Sequence, residues 1–532
     1  MKKSFFGRYS SALTINNGKS KNIRDAKWYD KSVPCRSACP ADTDIPGYLE
    51  AIYNEDYNKA YKINLEDNVF PGILGRVCSR PCEDACRHGE DSNGESVSIC
   101  FSKRSAEHFN ITDKIKLKNY AGKTKKKILI IGSGVAGLTA ARELMRCGHA
   151  VEVYEKHCAP GGMLNQGIPI FRLPRSIVEK EINQAIGDDI KIYYNKNIEK
   201  SSDIELLAKK YDAVVLALGT LKPNKINKEF TKSYDVEDGL SFLLRVNEYK
   251  DKYIGKNVIV IGGGYTSMDC ARTALRLGAK SVRTFYRRTN DDLIILPGEL
   301  DELINENGKM IFNAQPLSVI KKDNKLTGLE LIKTELVKKK GVYHLKDIKN
   351  SKFKVKTDHI ILAIGQTQHL LLSKNKRNNV FAAGDFATGA TTLINAIAHA
   401  KNIAKHVDKF LMKRNLFDTD IKVTNINKIS RNLRLNYIPI QKMSMTNLNQ
   451  RTFSREVEKG YTKTNTKKEA SRCYLCHYKF EINNDLCVLC DECLLVKPIK
   501  DCIVEVSDTQ EHKDGDTTYN RIKPKKSIGI YH

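Results

Sequence analysis

The sequence predicts an α/β protein with two nested Rossmann-type nucleotide-binding domains. A helical, cysteine-framed domain precedes them and a small cysteine-rich module follows. Three observations carry this reading. The stretch KKILIIGSGVAGLTAARELMRCGHAVEVYEK (126–156) runs strand, glycine turn, helix, strand. NVIVIGGGYTSMDCARTALRLGAKSVRTFYRR (257–288) repeats that plan within the same chain. Of the 15 cysteines, all but Cys147, Cys158 and Cys270 lie toward the two ends. A length of 532 residues exceeds one ordinary core and calls for several domains.

Residues 1–34 are polar and mixed and read as an arm. Residues 35–115 alternate cysteines with helix-forming text broken at Pro71-Gly72, which predicts the helical domain. The first nucleotide domain takes 116–232, the second 233–350, and the chain returns to the first over 351–412. YDAVVLALGT (211–220) is a buried strand, and DHIILAIGQT (358–367) is its counterpart after the second unit. Residues 413–470 read as a strap between domains, and 471–532 as the C-terminal module.

Composition narrows the function classes. Hydrophobic residues make up 41% and charged residues 28%, which excludes a largely disordered chain. No run is long and apolar enough to predict a membrane span, and the start lacks the apolar core of a secretory signal. A cytoplasmic location is expected. Lys and Arg total 89 against 62 Asp and Glu, a formal charge of +27. That charge suits a lysine-rich solvated surface or an acidic protein partner. No recognition motif supports nucleic-acid binding.

The glycine turns carry the cofactor chemistry. Gly132, Gly134 and Gly137 allow a tight turn, a close approach to a pyrophosphate, and close helix–strand packing. The phosphate then meets the free N–H groups at the helix start. Glu155 ends the next strand, where it can accept hydrogen bonds from an adenosine ribose. Gly262 and Gly264 form the second turn, but its next strand ends in Tyr286, Arg287 and Arg288. Arginines at that place favour a 2′-phosphate, hence NADPH over NADH. Asp269, in the helix after this turn, also reads as a helix-surface acid. Gly384 and Asp385 make a strand-to-helix turn whose Asp can hold flavin-chain hydroxyls. Thr391 and Thr392 begin a helix whose N-terminus can face a flavin ring.

The cysteine spacings predict metal rather than disulfides. Four thiolates suit a [4Fe–4S] cluster and zinc would also accept them; that Cys39, Cys78, Cys82 and Cys86 form one such set is what a family resemblance implies. Cys487, Cys490 and Cys493 follow the ferredoxin-type spacing, but Lys497 stands where a fourth cysteine is expected, so Cys502 is assigned the fourth position. The alternatives there are a three-cysteine cluster or a decayed site. Cys35, Cys473 and Cys476 remain for a third cluster, whose fourth ligand is Cys100, water or another side chain. An unligated or structural CxxC is the other reading of the last pair. Cys147, Cys158 and Cys270 are read as core thiols.

Several stretches in order resemble the small (beta) subunit of bacterial NADPH-dependent glutamate synthase and its iron–sulfur relatives. They are CRSACPADTDIPGYL, GRVCSRPCEDAC, GGMLNQGIPIFRLP, IGGGYTSMDCARTALRLGA, FYRR and FAAGDFATGATTLINAIAHA, with a weaker return at TFSREVEKGYTKT. The resemblance implies FAD on the first site, NADPH on the second, and two or three [4Fe–4S] clusters. It implies hydride transfer from NADPH to FAD and single electrons leaving through the clusters. It places Gly161, Gly162, Met163, Arg172 and Pro174 beside the flavin ring. Two departures stand out: Tyr265 replaces the family's usual Asn, and the family's opening CxxC upstream of Cys35 is missing. EASRCYLC (469–476) looks like that CxxC moved to the other end. No amidotransferase machinery is visible, so the expected partner is a separate large catalytic subunit. A ferredoxin, or a 2-oxoacid:ferredoxin oxidoreductase with flow toward NADP+, is the alternative. A non-catalytic scaffold subunit is the other class of reading, against which the intact glycine and acid signals argue. Hydride transfer needs no protein base, so no acid–base catalytic residue is assigned.

Overall fold

The computed structural model describes residues 33–89, 94–112, 114–198, 200–226, 230, 235–339, 341–368, 377–417 and 438–478, with short pieces at 3–4, 419–420, 488, 490, 492–495, 506–511 and 517–521. The N-terminal domain is helical. Prolines open the helices Pro34–Ala38, Pro71–Val77 and Pro81–Asp84, where a missing N–H costs nothing. Asp44 and Asp56 cap Ile45–Tyr53 and Tyr57–Asn68, accepting from Gly47 N at 3.1 Å and Lys59 N at 2.9 Å. Ile99–Phe109 closes the bundle.

Two five-stranded sheets follow, each wholly parallel. The first has the order Val380–Ala382, Ala213–Leu216, Lys127–Ile131, Ala150–Tyr154, Lys191–Tyr193. The second runs Lys309–Ile311, Ser281–Phe285, Asn257–Ile261, His359–Leu362, Val236–Asp238. Central strands such as Lys127–Ile131 and His359–Leu362 are continuous apolar runs because both faces are covered, by helices in the first sheet and by helices on one face and antiparallel strands on the other in the second. The second sheet is therefore inserted into the first, as the repeated plan predicts.

The expected domain edge at 350 needs correction. His359–Leu362 pairs with Asn257–Ile261 and Val236–Asp238, so it completes the second sheet. The first sheet regains the chain only at Val380–Ala382. An antiparallel sheet, unforeseen from the sequence, fills the intervening stretch: Ala314–Lys322, Lys325–Lys339, Val342–Asp347 and Phe353–Lys356.

The strap's stretch 438–470 is pinned at both nucleotide domains and at the helical domain. Arg451 reaches Glu302 and Glu306 at 2.6 and 2.7 Å. Glu456 pairs with Arg76 at 2.8 Å, and Val457 N donates to Phe171 O. Lys463–Ser471 then packs on Ile45–Tyr53 and Ile99–Phe109. Ala470, Cys473, Leu475 and Tyr478 join the core of the helical domain itself. The helical domain and residues 470–478 thus share one core.

Candidate functional site

The first glycine turn behaves as the sequence predicts. Gly132 sits at φ 102, and a Cβ there would collide with Ala217 O. A Cβ on Gly137 would overlap Gly132 O, so helix Val135–Arg146 can rest directly on the strand. Above Gly134 the space is open, with nothing within 4 Å of an added Cβ. Glu155 is buried and fixed: Ser133 donates to its Oε2 from N at 2.9 Å and from Oγ at 2.6 Å, and His157 N donates to Oε1 at 2.9 Å.

A cavity of about 320 Å³ lies over this turn. Gly132, Gly134, Glu155, Gly162, Met163, Arg172, Asp385, Thr391 and Thr392 all line it, so these sequence-assigned residues converge on one space. Asp385 Oδ1 accepts from Thr391 Oγ1 at 2.6 Å and from Thr391 N at 3.1 Å. Gly384 backs it at φ 62, where a Cβ would strike Ala136. Thr392 caps the 20-residue helix Leu393–Met412, whose positive end faces the cavity. The residues fit a dinucleotide flavin: a bare glycine cradle, an oriented ribose-side carboxylate and a helix dipole.

The second turn is built alike. Gly262 sits at φ 149 with no room for a Cβ beside Ala363 O, and Gly264 caps Tyr265–Arg276. Arg287 and Arg288 are exposed just beyond strand Ser281–Phe285, open to an incoming phosphate. This helix also enters the first cavity through Tyr265, Thr266 and Asp269. Asp269 is not a surface acid. It is 5% exposed and takes a hydrogen bond from Arg172 at 2.6 Å, while Arg172 also pairs with Glu299 at 2.6 Å. Burial pushes the Asp269 carboxyl up to about 6 despite Arg172, and Glu299 adds repulsion. Arg172 therefore joins the two nucleotide domains at the cavity's edge. The sequence carried no signal for that junction, because its partners come from three separate segments.

The thiols sort differently from the sequence assignment. Cys100, not Cys86, stands with Cys78 and Cys82, within hydrogen-bonding reach of both. Contact with Cys100 and then burial push the Cys78 thiol up. Cys39 belongs with them: it and these three thiols all act on the buried Lys103, and Cys39 Sγ reaches it through Thr43 and Asn68. Cys86 instead shares a small cavity with Cys35, Cys473 and Cys476. Burial, then Cys473, Cys476 and Cys86, push the Cys35 thiol up. The reason is local. Ser98 N and Cys100 N are held by Glu469 and Glu83, which seats the start of Ile99–Phe109 against Cys78 and Cys82. Cys86 lies a turn beyond Pro81–Asp84, on the side where the C-terminal return docks.

Among the described residues, no three His, Cys, Asp or Glu side chains stand at single-ion spacing. The donor chemistry is nonetheless two sets of four thiols, the soft-ligand complement of an iron–sulfur cluster. Val77 and Ser79, on either side of Cys78, line the large cavity. Cys490 and Cys493 are exposed, and Cys487, Lys497 and Cys502 lie outside the described residues. Cys147 and Cys270 are buried as core thiols, whereas Cys158 is exposed. No helix among the described residues is long and apolar enough to cross a membrane.

Residues 126–327 match the pyridine nucleotide-disulphide oxidoreductase family, and 23–115 match dihydropyrimidine dehydrogenase domain II, 4Fe-4S cluster. The chain is 32% identical over 429 residues to the glutamate synthase [NADPH] small chain of Bacillus subtilis, covering 71% of this chain and 86% of that one. It is 29% identical over 517 residues to the NADPH-Fe(3+) oxidoreductase subunit beta of Geobacter sulfurreducens, covering 85% and 76%. It is also 29% identical over 426 residues to the NADP(+)-dependent formate dehydrogenase subunit beta of Moorella thermoacetica, covering 71% and 60%.

Proposed function

Given that the chain belongs to the glutamate synthase small-chain family, NADPH-dependent iron–sulfur flavin oxidoreductases, we propose that it carries electrons from NADPH through FAD and three [4Fe–4S] clusters to a protein partner. Bound there, these groups would supply hydride acceptance and one-electron storage. The chain's own residues bind and orient. Gly132, Gly134 and the start of Val135–Arg146 hold the flavin pyrophosphate, Gly137 seats that helix, and Glu155 accepts from its ribose. Gly384, Asp385, Thr391 and Thr392 hold the opposite side, with Gly162, Met163 and Arg172 beside the ring. Gly262 and Gly264 take the NADPH pyrophosphate, and Arg287 and Arg288 pair with its 2′-phosphate.

Cys39, Cys78, Cys82 and Cys100 hold the first cluster. Cys35, Cys86, Cys473 and Cys476 hold the second, and Cys487, Cys490, Cys493 and Cys502 the third. The observation that carries the reading is the position of Cys78. Val77 and Ser79 line the large cavity, which supports the first thiol set as the flavin's immediate neighbour, while the second set includes Cys473 and Cys476 from the returning chain. Serine at Cys100 tests the order. It should remove about four irons and leave NADPH-driven flavin reduction intact while electron delivery to an external one-electron acceptor collapses. Undiminished delivery would reject the path.

The partner is an acidic-faced protein, either a large catalytic subunit or a ferredoxin-like carrier. The charge of +27 supports an acidic face, and the relatives' names as subunits and a small chain support a subunit role. The cysteine spacing beyond residue 486 favours ferredoxin-like traffic. Co-purification from the native source tests the choice: recovery without any redox protein or large subunit would reject it.

A further inference from the structure

Lys103 projects from Ile99–Phe109 into the helical domain and is 2% exposed. A buried ammonium is strongly unfavourable without a counter-charge. Among the described residues, its ammonium hydrogen-bonds a neutral group, Asn68 Oδ1, at 3.1 Å. Among the described residues it makes no ion pair with a carboxylate. Glu83, on the neighbouring short helix, instead accepts from Cys100 N at 2.8 Å and faces Arg80. The groups that act on the ammonium electrostatically are Cys100, Cys78, Cys82 and Cys39. Lys103 lies three residues beyond Cys100 on Ile99–Phe109, so the two side chains share one face of that helix.

The position is also fixed by a polar chain. Asn68 Nδ2 donates to Thr43 Oγ1 at 2.8 Å, and Thr43 Oγ1 meets Cys39 Sγ at 3.2 Å. Asn68 further approaches Asn64 Oδ1 at 3.5 Å. Every member of this chain is buried. The lysine is thus aimed at one thiol set by a network that ends on one of its ligands.

We infer that Lys103 is the built-in counter-cation of the Cys39, Cys78, Cys82 and Cys100 set, raising the reduction potential of the cluster held there and making it the flavin's favoured acceptor. The inference rests on the proposed ligand set. Adding one electron makes the cluster more negative, and a fixed positive charge in a dry interior stabilises that state. Lys103 is a positioning residue in this sense: it transfers no electron.

The test compares Lys103→Met, a neutral side chain of similar length, with Lys103→Arg. The anaerobically purified proteins are assayed for iron and titrated electrochemically, with low-temperature EPR as the readout. With iron equal to the parent, the Met variant should be at least tenfold harder to reduce at its first cluster, a midpoint lower by about 59 mV for a one-electron couple. The Arg variant should stay close to the parent, and the second cluster's signal should not move. Loss of about four irons in Met but not in Arg also supports the counter-cation, since charge alone separates the two. An unchanged midpoint in a fully loaded Met variant overturns it, as does equal cluster loss in both variants. The signal is assigned with Cys100→Ser. If no signal disappears in that variant, the ligand set fails, and the lysine inference falls with it for that separate reason.

Discussion

Replacing Cys473 and Cys476 by serine probes the proposed cluster that would join residues 473–476 to the helical domain. Serine keeps the side-chain volume, so Ala470, Leu475 and Tyr478 stay in the core they share with residues 33–106. The hydrogen bonds from Tyr478 to Glu50 at 2.6 Å and from Ser98 N to Glu469 at 2.8 Å also survive. What is lost is the soft-ligand pair. A cluster spanning Cys35 and Cys473 closes a loop of roughly 440 residues, worth about 6 kcal/mol in the chain-entropy treatment. That figure is an upper bound, because the surviving hydrogen bonds still tether the return. Iron and acid-labile sulfide should fall by about four each, from about twelve to about eight in the fully loaded chain. The melting temperature should drop, and the region beyond the strap should become more sensitive to protease. Unchanged iron in the double variant would refute the shared centre and leave the pair structural.

Neutral residues at both Arg287 and Arg288 should erase most of the preference for NADPH over NADH. The loss in kcat/KM for NADPH should be about ten- to a hundredfold, the worth of charge-assisted hydrogen bonds, and toward the lower end because both side chains are exposed. Gly137→Ala forces a methyl onto Gly132 O and should yield protein with no bound flavin; full flavin content would show that the helix can shift without penalty. Asp269→Asn tests the domain junction by pH. The folded carboxyl titrates at about 6, above its ordinary value of 3.8, so the folded state binds the extra proton between these values. Wild-type stability relative to the Asn variant should therefore fall as pH rises from about 4 to 6, by up to about 3 kcal/mol. Melting curves of both proteins across that window would show it, and a difference that grows the other way would mean that Arg172 outweighs burial.

Much of the fold was legible because strand, glycine turn and helix are local features. Gly132, Gly134 and Glu155 lie within one short span, and their geometry follows from backbone sterics. The boundary at 350 was not legible, since whether His359–Leu362 joins the first or second sheet is decided by pairing across 100 residues. The antiparallel sheet 314–356 escaped because its residues carry no chemistry and its strands mix lysine with apolar residues. The cysteines show the same divide. Their number and type announced metal, but Cys86 and Cys100 change places because Ile99–Phe109 turns one of them inward while the other faces the returning chain. Lys103 and Asp269 were invisible as special residues, since burial of a charge is a tertiary fact.

The proposed electron path runs from NADPH through the flavin cavity to the Cys78 set. Anaerobic rapid mixing with NADPH, followed by absorbance and freeze-quenched EPR, tests it most directly. The flavin should bleach first, and reduced-cluster signals should follow, with the first of them absent in Cys100→Ser. Flavin that stays oxidised under NADPH, or reduced flavin that never passes an electron to any cluster in the loaded protein, would contradict it.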